Sequence, residues 1–151
     1  MANTTFQGVV RSYGGGIKGT HPPVPVTQSV QISFDPTATS ATNVRIGTSS
    51  SSGETLTLPA GAIPISLLSI GGAAGGSSPT VDVGTSADPD GLFNEVDCDT
   101  KGTLKGADGA LAVAGGLAAD ATVTGMKGSS AATSGTFTGI LTYVMANNSV
   151  E

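Results

Sequence analysis

The chain of 151 residues has room for one domain with a real core and none for a separate catalytic module. Charged residues make up 11% and aromatics 4%, with 23 glycines and no Trp, yet Val, Ile, Leu and Thr recur in ordered patterns; this composition is unlike a typical enzyme and unlike a disordered tail. The net charge of −5, with 6 scattered Lys and Arg, excludes the clustered positive charge that nucleic acid or an anionic membrane requires.

The chain opens with MANTTFQGVVRSYGGGIKGTHPP, which lacks the basic region and apolar core of a signal peptide. Three consecutive glycines, a proline pair and isolated large side chains (Phe6, Val9, Val10, Tyr13, Ile17) follow no sustained period. Such a segment cannot build a core of its own and is too apolar for a plain linker. It reads as an extended arm over residues 1–23 ahead of a β domain over 24–151. Phe6, Val9, Val10, Arg11 and Tyr13 are the arm's expected docking residues, and an unordered terminus is the plainer alternative.

From Val24 the pattern changes to alternation. VPVTQSVQISF places Val24, Val26, Val30, Ile32 and Phe34 on one parity, the mark of a half-buried strand. The same period recurs in ETLTL (Leu56, Leu58), IPISL (Ile63, Ile65, Leu67), TVDVG (Val81, Val83), EVDCD (Val96, Cys98), ATVTG (Val123) and TFTGILTYVM (Phe137, Leu141, Tyr143, Met145). Between these lie GTSSSSG, PAG, GGAAGGSS, ADPDG, KGTLKG and KGSSAATSG, rich in residues suited to turns. Short strands at this spacing predict an all-β fold, an antiparallel β-sandwich or jelly-roll-like barrel. Pro25 and Pro64 fall inside strand patterns and mark edge strands or bulges. DGALAVAGGLAAD admits a helix capped by Asp108, but Gly115 and Gly116 at its centre cost about 1 kcal/mol each, so a loop or strand is expected. Its apolar run is too short to span a bilayer.

Most of the candidate chemistry sits in DPDGLFNEVDCDTKG, residues 88–102, with five carboxylates (Asp88, Asp90, Glu95, Asp97, Asp99) and the lone cysteine, Cys98. Counted from Asp88, the glycine comes fourth and Asp occupies the twelfth place, so the EF-hand pattern fails. In an extended strand Glu95, Asp97 and Asp99 share one face as a solvated rim, and Cys98 turns inward as a small hydrophobe. The density of carboxylates still makes the stretch a calcium candidate. Paired carboxylates also hydrolyse glycosides, but such sites need aromatic platforms, and this chain has 4 Phe and 2 Tyr. His21 has no partner His and precedes two prolines, which leaves a triad or zinc site without material. IGGAAGG at 70–76 has no G-K-[ST] after it and reads as a hairpin loop. No catalytic residue, metal or cofactor is expected.

Taken together, TTFQGVVRSYGG, the phrase ETLTLPAGAIPISLLSI with the Gly-rich loop after it, PTVDVGTSADPDGLFNEVDCDTKG and the closing GTFTGILTYVM resemble the decoration or cement proteins on the heads of tailed bacteriophages. The resemblance covers most of the chain and implies a β-sandwich-like virion protein on the outer capsid surface, assembled in the host cytoplasm. It further implies the major capsid protein as partner, a homotrimer, and an N-terminal extension that grips the shell. A head-fibre or glycan-binding receptor module and a tail-tube subunit are the alternatives.

Overall fold

The computed structural model describes residues 26–145. Within them the chain forms β1 (Val26–Phe34), β2 (Thr42–Asn43), β3 (Arg45–Ile46), β4 (Thr57–Leu58), β5 (Ala62–Ala74), β6 (Thr80–Gly84), β7 (Phe93–Asp97), β8 (Leu104–Gly106), the helical turn α1 (Ala110–Val113), β9 (Ala121–Thr122), β10 (Thr124–Lys127) and β11 (Ser134–Met145). A five-stranded sheet has the order β3-β1-β11-β5-β8 and a four-stranded sheet the order β2-β10-β6-β7, while β4 and β9 pair separately. All the pairings are antiparallel.

The two larger sheets bury their alternating apolar residues against one another, which makes the fold the antiparallel sandwich expected from the period-two pattern. Ile32 and Phe34 from β1, Leu67 from β5, and Phe137 and Leu141 from β11 meet Val81, Val83, Phe93 and Val96 from β6 and β7, all fully buried. Phe34 and Phe137 pack as a tilted ring pair with centroids 5.1 Å apart. Leu56, Leu58, Cys98 and Val123 also turn inward as their strand parity predicts.

Bulges overrule that parity in two places. Thr142 pairs with Ser66 while Tyr143 pairs with Pro64, so Ile65 is an extra residue in β5. A single extra residue exchanges the faces of a strand. Ala62 and Pro64 are therefore buried before the bulge and Leu67 after it, while Ile65 is 47% exposed rather than inward with Leu67. Pro64 thus stands beside a bulge, one of the positions open to proline in a sheet; Pro25 lies outside the described residues. In β7, Phe93 pairs with Val83 and Val96 with Val81, so three steps oppose two. Glu95 absorbs the excess at φ 56°, in the left-handed region that non-glycine residues seldom enter.

Two other expectations are corrected. DGALAVAGGLAAD contains a helical turn after all, Ala110–Val113, with Gly109 and not Asp108 at its N-cap. It stops before Gly115 (φ 95°) and Gly116 (φ 119°), whose backbone cannot continue a right-handed helix. IGGAAGG is mainly strand: β5 runs on to Ala74, with Gly71 and Gly72 kinked at positive φ beside irregularities in the β11 ladder.

Candidate functional site

The carboxylates of the acidic segment are engaged in several separate sets of hydrogen bonds. The carboxylate of Glu95 accepts hydrogen bonds from the Thr80 hydroxyl, from Ser129 N–H at 2.8 Å and from Ser129 Oγ at 2.9 Å. Its own N–H, turned by the bulge, donates to Asp82 Oδ1 at 2.8 Å. The rim expected of Glu95, Asp97 and Asp99 is therefore not a common face, because the bulge draws Glu95 over β6 toward the loop before β11. Donation by Thr80 holds the Glu95 carboxyl below its ordinary pKa, with Ser129 adding to the effect against partial burial. Asp82 moves the other way, chiefly because burial penalises its charge.

Asp97 Oδ1 accepts from the N–H groups of Asp99 (3.2 Å) and Thr100 (2.8 Å), which closes the turn after β7. Asp99 accepts from the Thr100 hydroxyl at 3.0 Å. Desolvation, with hydrogen bonding to Asp90 as the next cause, raises Asp88 above the usual carboxylate range. Among the described residues no three of His, Cys, Asp or Glu gather into a group able to hold a metal ion. Of the calcium candidates Asp88, Asp90, Glu95, Asp97 and Asp99, the last three already accept hydrogen bonds from protein donors, while Asp88 and Asp90 pair with each other.

Cys98 is fully buried and its Sγ donates to Pro79 C=O at 3.1 Å. Burial first, then the charges of Asp99 and Asp97, push its thiol up to about 12. A thiol in this state is a packing group, since the thiolate is the nucleophile. Asp108 receives Asn94 N–H at 3.0 Å and pairs with Lys105 at 2.7 Å. Partial burial raises its carboxyl, but Lys105 and the backbone donors outweigh that and leave it below the ordinary value.

A different surface is organised for contact. Residues opposite one another in an antiparallel ladder share a face, so the outer side of the five-stranded sheet carries three uncharged rows, Thr27–Val144–Ile63, Ser29–Thr142–Ser66 and Gln31–Ile140–Leu68–Leu104, followed by a fourth, Arg45–Ser33–Thr138–Gly71, that brings in Arg45. Leu104 is 65% exposed, and Ile65 stands out at the bulge beside the middle row. The first three rows contain aliphatic, hydroxyl and amide side chains and no charge. Beyond them the Gly47–Gly53 loop closes over the far end, anchored by Gly47 N–H to Gln31 C=O at 2.8 Å and by the Ser50 and Thr136 hydroxyls at 3.3 Å. Sequence periodicity missed this face because Leu68, Ile140 and Val144 lie on the parity opposite the core, and Ile63, expected inward with Leu67, is placed here by the bulge; only register brings them together.

The docking residues expected in the arm, Phe6, Val9, Val10, Arg11 and Tyr13, lie outside the described residues, as does His21.

The fold defines a class: an antiparallel β-sandwich with acidic side chains engaged in turns and an outer sheet face that is uncharged over three of its rows. No protein-family model matches the chain, and no curated protein matches it. Among solved structures, a chain of the cyanophage Pam1 capsid asymmetric unit is similar with a TM-score of 0.48 at 16% identity, over 87% of this chain and 91% of that chain.

Proposed function

We propose that the protein is a virion structural protein, a decoration or cement protein that binds the outer face of a tailed-phage head and reinforces the shell. The observation that carries this reading is the uncharged stretch of the outer face of the five-stranded sheet, on which Ile63, Leu68, Leu104, Ile140 and Val144 are brought together by strand register. It is supported by the sequence resemblance of four phrases spread along the chain. A protein repeated many times on a lattice gains its hold from area and multiplicity, and a β-sandwich of this composition supplies area without reactive groups.

In this reading the partner is the major capsid protein and the protein acts as a homo-oligomer without catalysis. The engaged Glu95 and Asp97 and the buried thiol of Cys98 leave the acidic segment a structural part. Residues 1–23 serve as a capsid-binding arm anchored by Phe6, Val9, Val10 and Tyr13, with Arg11 adding positive charge. Ordering such an arm costs roughly 1–2 kcal/mol per residue in backbone entropy, so it must cross onto a second subunit and bury apolar area there.

The full chain and a shortened one test the reading on heads stripped of this protein, with occupancy read by electron cryo-microscopy. The full chain should decorate them at symmetry-related positions on the outer surface. Deletion of residues 2–20 should leave the far-ultraviolet circular dichroism unchanged and sharply reduce occupancy. Full decoration by the truncated chain would move the contacts to the sandwich, and density on a tail or fibre alone would overturn the assignment.

A further inference from the structure

We infer that Arg45 and Lys101 are cationic anchors at the rim of the outer sheet face, and that the shell surface covering this face presents carboxylates to them. The inference rests on the decoration reading above and names the chemistry of its partner. Both cations belong to the fourth row, Arg45–Ser33–Thr138–Gly71, where the uncharged stretch ends. Arg45 stands at the β3 end of that row. The stem of Lys101 lies at the β5 end, its Cγ 3.2 Å from the place a Cβ on Gly71 would take. Three strand spacings separate the ends, so they stand about 14 Å apart at Cα.

Neither cation meets a carboxylate among the described residues, whose ion pair is Lys105 with Asp108. Arg45 is half-buried, and its Nη1 donates to two neutral oxygens, Thr55 Oγ1 at 2.9 Å and Gly53 C=O at 3.4 Å. Those bonds hold the guanidinium at the rim beside the Gly47–Gly53 loop. A planar fork held in this way suits bidentate capture of a carboxylate. Residues 1–25 contain no Asp or Glu with which to answer it. Residues 146–151 contain Glu151 alone, and they follow Met145, which pairs with Val26 at the end of β1 remote from Ser33 and Arg45. The same face carries the shell contact in the reading above, so the answering carboxylates belong to the shell. Charges at the rim of an interface orient and steer its partner; here they fix the direction in which the apolar rows are laid down.

The test is the dissociation constant of the full chain on heads stripped of this protein, measured at low and at high salt for the parent and four variants. Arg45→Gln should weaken binding about tenfold through loss of the bidentate pair. Arg45→Lys keeps the charge without the fork and should fall between that variant and the parent. Lys101→Gln, at an exposed position, should cost only about two- to five-fold. Lys127 lies on β10 in the other sheet, so Lys127→Gln makes the same change in net charge and should bind like the parent. Rising salt should weaken the parent more steeply than Arg45→Gln.

Parent-like binding by Arg45→Gln overturns the inference and leaves the decoration reading standing, whereas a parent that does not decorate the heads sinks both. A loss shared equally by Lys127→Gln also overturns it, in favour of net charge alone. Arg45→Gln that binds heads like the parent but loses self-association in light scattering assigns the carboxylates to a second copy, which overturns it too. Unchanged circular dichroism of each variant separates lost binding from lost folding.

Discussion

Phe34 and Gly125 face each other across the sandwich so closely that a Cβ on Gly125 would lie 2.6 Å from Cδ2 and Cε2 of the ring. The contact joins β1 of one sheet to β10 of the other, at the point where Phe34 also packs on Phe137. Gly125 is not at positive φ, so its small size and not its backbone freedom is what the site requires. Gly125→Ala should destabilise the fold by about 1–3 kcal/mol through overpacking, measured by urea unfolding. The cost should shrink in a Phe34→Leu background, because the ring is the obstacle. An additive double-mutant cycle would refute that explanation.

The bonds to Glu95 predict a pH-dependent loss. Glu95→Gln replaces charge-assisted hydrogen bonds from Thr80 and Ser129 with neutral ones, at about 1–2 kcal/mol near neutral pH. The folded carboxyl is shifted downward. Its stabilisation is thus present above the unfolded pKa of about 4.3 and is lost as pH falls through the folded value. The stability gap between parent and variant should close in acid. Asp82, shifted upward by burial, contributes with the opposite sign; it is present in both proteins and largely cancels. A gap that stays constant from neutral to acid pH would show that Glu95 acts by shape and not by charge.

Cys98 should not react with a thiol reagent at mildly alkaline pH while the protein is folded, and should react fully in denaturant. Its pKa near 12 and its burial both withhold the thiolate. The sign on stability follows: a raised folded pKa favours the fold below the unfolded thiol value of about 8.5. That contribution is lost progressively as pH rises toward the folded value. Labelling kinetics followed against urea should therefore track global unfolding. Rapid labelling of the native protein would mean that the end of β7 opens locally.

Calcium and EDTA should each leave the melting temperature unchanged to within about one degree, since a ligand stabilises by mass action only where the folded state binds it. Asp97 and Glu95 already accept backbone and hydroxyl donors. A large saturable rise with calcium, abolished by Asp88→Asn with Asp90→Asn, would show that the loop before β7 rearranges to bind.

The candidate site was only partly legible in the sequence. The alternation around Val96 did place Cys98 in the core. The partners of Glu95 could not be read, because Ser129 lies 34 positions away and meets it only through the register of β6 with β7 and β10. The outer-face rows were hidden for a similar reason. Leu68 and Ile140 are apolar residues on the solvent parity of their own strands, and no local pattern says that two such strands are neighbours.

What the sequence determined by itself is local: where alternating apolar runs make strands, where Gly, Ser, Asp and Pro break them, and hence an all-β antiparallel body. Val81, Val83, Val96 and Cys98 needed nothing else, because a side chain's face in a regular strand depends only on its neighbours' parity. The tertiary structure decided what lies beyond the reach of parity. Ile65 turns outward and Glu95 enters positive φ because one extra residue in each strand must be accommodated between partners distant in sequence. A bulge is a property of a pair of strands, and neither strand carries it alone.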